Sequence, residues 1–228
     1  ICMMLFGGLS FAIHSQDIRP IENQSGLYHI ILTNPTVHTI ELISFLTDHR
    51  IFKINKNKVR FTGLYHQNQA YDFRKSLELI REKKLTNFRI IELTGEIGVD
   101  DVFRTNSCTD QFRDIFNQSD GMIFFGGPDI QPEMYGEENT HSVVTDPARH
   151  IFEVSLLFHL LGGTRDPDFV PFLNERPDYL VTGFCLGLQS MNVATGGTLV
   201  QDIPFQVYGK TTPEETLTIP APDLHRNY

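Results

Sequence analysis

The chain alternates short apolar runs with longer segments whose apolar residues recur at helical spacing. Five apolar runs are typical of buried strands: residues 28–35, 58–66, 88–94, 121–127 and 178–184. The segments between them predict helices over residues 36–49, 70–85, 109–119 and 145–161. The last of these has Asp146 as an N-cap and Pro147 at the first helical position, which is a strong start signal. Strands that alternate with helices in this way predict a doubly wound α/β sheet of mostly parallel strands.

The carboxyl ends of these predicted strands are where chemistry is expected, because ligands of doubly wound sheets bind at that edge. The residues found there are Asn34-Pro35, His66-Gln67, Gly126-Gly127-Pro128 and Cys185. The glycine pair and the cysteine are the most informative of these ends.

Composition and charge exclude one class of partner. The chain is 40% hydrophobic and 21% charged, as is ordinary for a globular domain, and its formal net charge is −9. The densest basic patch lies at residues 53–60, and a solvated loop explains it. We therefore expect no nucleic-acid partner.

The first residues differ from the rest of the chain. An apolar run over residues 1–13 is followed by Ser15-Gln16, which matches the hydrophobic and cleavage regions of a secretory signal. The run is too short to span a bilayer. We expect a signal peptide at residues 1–16, a single α/β hydrolytic domain at 17–228, export to the periplasm or outside, and no membrane contact after cleavage. A buried first element of a cytoplasmic protein is the alternative, which Gly7-Gly8 disfavours.

The stretch Gly183-Phe-Cys-Leu-Gly187 predicts a nucleophile elbow, a tight strand-to-helix turn that projects one reactive side chain. Flanking glycines remove Cβ atoms that would collide there. The turn places Cys185 at a helix N-terminus, where unpaired N–H groups favour the thiolate. The amide of Leu186 would then face a developing oxyanion. The alternative is a buried structural cysteine. Without the signal only Cys108 and Cys185 remain, and they could also form one disulfide.

The glycine pair at the end of the fourth predicted strand supplies the second element. Glycines allow the backbone to approach a ligand closely, so Gly127 is expected to provide a second oxyanion amide. An ordinary turn is the alternative for this loop.

Taken together, residues 183–202 (GFCLGLQSMNVATGGTLVQD) and 120–138 (DGMIFFGGPDIQPEMYGEE) resemble the class I glutamine amidotransferases. More narrowly, they resemble the γ-glutamyl-γ-aminobutyrate hydrolases, peptidase family C26. Residues 146–153 also resemble the start of that family's intervening helix. The resemblance implies a flavodoxin-like class I glutamine amidotransferase fold whose C-terminal part is missing from this sequence.

The resemblance implies a cysteine hydrolase that acts on a small γ-glutamyl substrate and needs no cofactor. Cys185 would form a glutamyl thioester, and the amides of Gly127 and Leu186 would form the oxyanion hole. Gly126, Asp129 and Gln189 would bind substrate, although Gln189 could instead face solvent. Leu186 departs from the family pattern, which often has arginine after the nucleophile.

The histidine base that such a hydrolase needs is not evident. None of the nine histidines is followed two positions later by Asp or Glu, and only His225 follows Cys185. We expect a longer natural chain that carries the base. One alternative is a non-catalytic binding protein on the same fold. Another is a glutaminase module, if the N-terminal run is not a signal. His66, His150 and His159 are interpreted as strand-end, packing or surface residues. No histidine pair has metal-ligand spacing, so no metal is expected.

Overall fold

The computed structural model describes residues 26–223 and is built on a parallel five-stranded sheet. Its strands are β1 (Tyr28–Thr33), β2 (Val59–His66), β3 (Phe88–Leu93), β4 (Gly121–Phe124) and β5 (Leu180–Gly183). Its helices are α1 (Val37–Asp48), α2 (Arg74–Glu82), α3 (Thr109–Asn117), α4 (Pro147–Leu161), α5 (Leu186–Ala194), α6 (Ile203–Tyr208) and α7 (Pro213–Thr216). The predicted α/β class is confirmed. The predicted signal peptide and His225 lie outside the described residues.

The sheet carries an apolar core on each face, as a doubly wound fold requires. Strand residues Ile31, Leu64 and Ile91 join residues of α3, α4 and α5 in the larger core. Alternate strand residues, such as Leu32 and Phe61, pack with α1 in the smaller one. No helix among residues 26–223 is long and apolar enough to cross a bilayer.

The strand order β3-β2-β1-β4-β5 sets the position of the functional edge. The chain builds outward from β1 through β2 to β3, then returns to the other side of β1 to add β4 and β5. The order therefore reverses between β1 and β4. Ligands of open α/β sheets bind at the carboxyl ends of the strands beside such a switch point.

Several elements are shorter than the sequence pattern predicts, and the structure gives a reason for two of them, α2 and β4. Helix α2 covers Arg74–Glu82 instead of 70–85, because the Asp72 carboxylate accepts from the Arg74 N–H and Lys84 adopts a positive φ of 51°. Strand β4 ends at Phe124 instead of residue 127, because the carbonyl groups of Phe125 and Gly126 leave the sheet and accept from Arg149.

Candidate active site

Cys185 occupies a strained turn between β5 and α5. Its φ of 53° and ψ of −111° place a non-glycine residue in an unfavourable backbone region, and it is the N-cap residue of α5. Its thiol is free and the residue is exposed. Strained backbone that is held by its surroundings is concentrated at functional sites, so this conformation favours a reactive role for Cys185.

The two flanking glycines are needed for the tightness of this turn. A Cβ at Gly183 would lie 2.7 Å from the backbone carbon of Gly187. A Cβ at Gly187 would collide with the carbonyl oxygen of Phe124 and lie 2.7 Å from its carbon. Real Cβ atoms do not approach backbone this closely, so α5 can pack against the end of β4 only with glycine at position 187.

The first turn of α5 points N–H groups toward the Cys185 side of the elbow. The Gly187 N–H donates to the Phe184 carbonyl oxygen at 2.9 Å. The N–H groups of Leu188 and Gln189 donate to the Cys185 carbonyl oxygen at 3.0 and 3.1 Å. Within residues 26–223 the Leu186 N–H, at the first helical position, has no backbone acceptor. Leu186 is itself buried, so the structure leaves this N–H without a backbone partner among the described residues but does not expose it to solvent.

The Gly126-Gly127 loop lies directly beside the elbow. A Cβ at Gly126 would lie 3.3 Å from the Cys185 Cβ and 3.7 Å from its Sγ. The N–H groups of both glycines lack a backbone acceptor among the described residues. The structure thus brings together Cys185, Leu186, Gly126 and Gly127, four of the residues that the sequence singled out.

A buried charge pair supports the other side of this loop. The Arg149 Nε donates to the Glu153 Oε1 at 3.1 Å, and their side chains are 6% and 0% exposed. The Arg149 Nη2 donates to the carbonyl groups of Phe125 at 2.9 Å and Gly126 at 3.2 Å. The hydroxyl of Thr33, at the end of β1, donates to Glu153 at 2.9 Å. Burial raises the pKa of the Glu153 carboxyl, while Arg149 and Thr33 act to lower it.

Sequence reasoning did not single out Arg149 or Glu153. A signal was present, because an Arg and a Glu four residues apart lie in a helix that is otherwise apolar around most of its circumference.

Cys185 opens into a cleft of about 570 Å³ at the carboxyl edge of the sheet. Gly126 and Cys185 line it after the ends of β4 and β5, Asn34 and Thr36 line it from the loop between β1 and α1, and His38 lines it from the first turn of α1. His38 is exposed and was not considered from the sequence, although its place just after a strand end is a signal. A cavity of about 630 Å³ opens at the opposite edge of the sheet, away from Cys185.

Two predicted substrate-binding residues lie away from the lining of this cleft. The Asp129 carboxylate accepts from the Val143 N–H at 2.8 Å and so holds the loop that follows β4. Gln189 lies on the first turn of α5 and is partly buried. Neither is among the described residues that line the cleft.

His66, His150 and His159 are buried in the structure. His66 bonds to the Gly95 carbonyl at 2.8 Å, and His159 bonds to the Ser155 carbonyl at 2.7 Å. Burial lowers the pKa of both, and it lowers the pKa of His150 to about 4. Within residues 26–223 no group of three or more His, Cys, Asp or Glu side chains could hold a metal ion.

The parallel sheet, the cysteine elbow and the adjacent glycine loop together define a class I glutamine amidotransferase-like protein. The model of one family, Peptidase C26, matches residues 67–219. Since that match covers more than half of the sequence, the chain belongs to the Peptidase C26 family. This membership supports a hydrolase or amidotransferase type of function.

Two of the curated relatives that the chain matches are described as glutamine amidotransferase-like. The chain is similar to the glutamine amidotransferase-like protein YvdE homolog of Lactococcus lactis subsp. cremoris, with 29% identity over 119 residues, 52% of this chain and 56% of the relative. It is 28% identical over 119 residues to YvdE of Lactococcus lactis subsp. lactis, covering 52% of this chain and 44% of that one. Protein NtpR of Enterococcus hirae is 32% identical to this chain over 88 residues, which are 38% of this chain and 31% of NtpR. The chain spans about half the length or less of these relatives.

Proposed function

We propose that the protein hydrolyses γ-glutamyl amide bonds with Cys185 as the nucleophile. The observation that carries the proposal is the strained, exposed Cys185 at the start of α5, directly beside the unpaired amides of the Gly126-Gly127 loop. A thiolate and two amides that face one reacting carbonyl are the arrangement that acyl transfer requires.

In the proposed reaction the Cys185 thiolate attacks the γ-carbonyl carbon of the substrate. The carbonyl oxygen takes up negative charge and accepts from the N–H groups of Leu186 and Gly127. The carbon–nitrogen bond then breaks, and the amine leaves with a proton. Water adds to the resulting glutamyl thioester, the carbon–sulfur bond breaks, and glutamate and the free thiol are released. Gly126, Asp129 and Gln189 are proposed to bind the glutamyl group.

The proton transfers in this scheme require a base. His38 is the histidine that lines the described part of the cleft. The family resemblance instead predicts a histidine that follows Cys185. Replacing His38 by Asn tests the first possibility. A large loss of hydrolysis assigns the base to α1, and an unchanged rate excludes His38 as the base.

The experiment measures hydrolysis of γ-glutamyl-p-nitroanilide by the full-length protein, by Cys185→Ala and by Cys108→Ala. Cys108 is the other described cysteine and is buried, so it is the matched control. We expect Cys185→Ala to lose at least about a thousand-fold in kcat, on the scale of removing a nucleophile. Intact-mass measurement should show a glutamyl adduct on the wild type and none on Cys185→Ala. Equal rates in all three proteins would reject the proposal.

A glutaminase function is the second candidate, because two of the relatives are described as glutamine amidotransferase-like. The same chemistry on free glutamine would release ammonia. Comparing kcat/KM for glutamine with that for γ-glutamyl amides of larger amines decides between them. A preference for glutamine supports the glutaminase, and a preference for the larger amides supports the hydrolase.

Export of the protein is also proposed, on the apolar run at residues 1–13. N-terminal sequencing of the protein from its own cells tests it. A mature chain that starts near Gln16 or Asp17 supports export, and a chain that retains residues 1–13 contradicts it.

A further inference from the structure

The Arg149–Glu153 pair is costly to bury, and the residues it contacts suggest why it is there. A buried ion pair is weak evidence for stability, because the loss of hydration of two charges offsets their attraction. Here the Glu153 Oε2 is buried with no partner among the described residues. The Arg149 Nη2, in contrast, contacts two consecutive carbonyl groups, those of Phe125 and Gly126. The pair therefore acts on the backbone beside Cys185.

Because a peptide group is planar, the contacts of Arg149 with two carbonyl groups also fix the direction of the next N–H groups. In a trans peptide the C=O and the N–H of the next residue point in opposite directions. Since the carbonyl groups of Phe125 and Gly126 both point to Arg149, the N–H groups of Gly126 and Gly127 point away from it. Two successive N–H groups on the same side form a concave anion-binding arrangement.

Glycine makes this orientation easy to lose. The Gly126–Gly127 peptide can rotate with little steric cost, because neither residue has a Cβ to restrict it, and the Phe125–Gly126 peptide is restricted on the Phe125 side only. No backbone hydrogen bond within the described residues fixes the amides of Gly126 and Gly127. The charged hydrogen bonds from Arg149 are therefore what holds these two peptide groups. A Cβ at Gly127 would collide with the Arg149 guanidinium, lying 3.3 Å from its Cζ, so the arginine also restricts this position to glycine.

We infer that Arg149 and Glu153 are positioning residues for the oxyanion hole. Arg149 holds the Phe125 and Gly126 carbonyl groups, which aims the Gly127 amide at the substrate oxygen beside Cys185. Glu153, fixed by the Thr33 hydroxyl at the end of β1, holds the guanidinium in place. The inference rests on the proposed acyl-transfer function, and it adds a source for the orientation of one oxyanion donor.

The test is a double variant, Arg149→Met with Glu153→Leu, in the full-length protein. Removing one partner alone would leave a buried unpaired charge and destabilise the fold, whereas replacing both by apolar groups of similar size is often tolerated. We expect kcat for γ-glutamyl-p-nitroanilide to fall about 100-fold, on the scale of losing one oxyanion donor, with KM changed less than about 3-fold. Alkylation of Cys185 by iodoacetamide, which needs no oxyanion donor, should proceed at the wild-type rate.

The control is a charge pair nearer the protein surface, in which the Arg113 Nη1 lies 2.6 Å from the Glu175 Oε1. Arg113→Gln with Glu175→Gln should retain wild-type kcat. A double variant at Arg149 and Glu153 that retains kcat within about 3-fold would overturn the inference. So would an equal loss of kcat and of the alkylation rate, because this result indicates general disruption of the elbow.

A second variant keeps the test decisive if the double variant does not fold. Arg149→Lys retains the charge beside Glu153 but offers a single point donor in place of the planar guanidinium. We expect it to fold and to lose about 10-fold in kcat with KM unchanged; an unchanged kcat would overturn the inference. The proposed function fails separately, if the wild type forms no thioester or Cys185→Ala hydrolyses as fast as the wild type.

Discussion

Single residues decide how close α5 lies to the end of β4. Gly187 is in the first turn of α5, where alanine would be the better helix former by about 1 kcal/mol. The space around it outweighs this preference, because a Cβ would meet the Phe124 backbone. The strained conformation of Cys185 depends on this close packing, so stability and reactivity are linked at this position.

We therefore predict that Gly187→Ala destabilises the protein, by roughly 2–4 kcal/mol, and that Cys185 reacts more slowly with substrate. Urea unfolding and the assay of γ-glutamyl-p-nitroanilide measure the two effects. Gly98→Ala is the matched control, because Gly98 has a negative φ and its Cβ would meet only the Asp101 carboxylate at 3.4 Å. A Gly187→Ala protein as stable as the wild type would show that the helix moves to accept the methyl group.

The two described cysteines should differ sharply in reactivity. Burial raises the pKa of the Cys108 thiol to about 11, so at pH 8 only about one molecule in a thousand carries that thiolate. Cys185 is exposed. We expect iodoacetamide at pH 8 to modify Cys185 and to leave Cys108 unmodified in the folded protein, and peptide mapping by mass spectrometry identifies the site. Modification of Cys108 before Cys185 would contradict the elbow assignment.

At the scale of elements, α4 connects the fold to the site. Its N-cap, Asp146, accepts from the N–H of Arg149 at 3.1 Å and also from the N–H of Ala70 in the loop after β2 at 3.1 Å. Three residues further on, Arg149 reaches the glycine loop. The position at which α4 starts thus determines where the guanidinium lies.

Asp146→Ala should cost about 1–2 kcal/mol of stability, because it removes the cap and the bond to Ala70. The cap of the short, exposed helix α7, Thr212, is the control, and Thr212→Ala should cost less, about 0.5 kcal/mol, because it removes one cap bond and no bond to another loop. Urea unfolding of the two variants is the measurement. Equal losses would indicate that α4 is positioned by its apolar contacts and not by its N-cap.

The elements themselves were largely predictable from the sequence, and the contacts between them were not. Apolar runs and helical spacing identified β1 to β5 and α1 to α4, because burial in a two-faced sheet imposes those patterns. The elbow at Cys185 was predictable from the Gly-x-Cys-x-Gly spacing, although the contact that requires glycine at position 187 comes from Phe124 of β4. The positions of Arg149 against the glycine loop and of His38 in the cleft were not predictable, since both depend on which strand ends become neighbours in space. The strand order, with its reversal between β1 and β4, is set by tertiary packing that a local pattern does not encode.

At the scale of the whole molecule, buried imidazoles make the stability of the fold depend on pH. His29, His66, His150 and His159 are each less than 5% exposed, and burial lowers the pKa of every one. An imidazole with a lowered pKa is neutral in the folded protein and takes up a proton more readily in the unfolded chain. Its contribution to stability is complete above the unfolded pKa of about 6.5 and is lost as the pH falls toward the folded value.

We predict that the free energy of unfolding decreases between pH 6.5 and pH 4, with His150 as a main contributor. Its folded pKa of about 4 corresponds to at most about 3 kcal/mol over this window. Because the His150 Nδ1 accepts from the Gln131 N–H, His150→Gln retains an acceptor and removes the titration. Urea unfolding at several pH values should show a shallower decrease for His150→Gln than for the wild type, while His49→Gln, at an exposed position, should follow the wild type. Parallel decreases in all three proteins would assign the acid sensitivity to groups other than His150. Burial of the His150 ring would then not be the cause of the loss of stability at low pH.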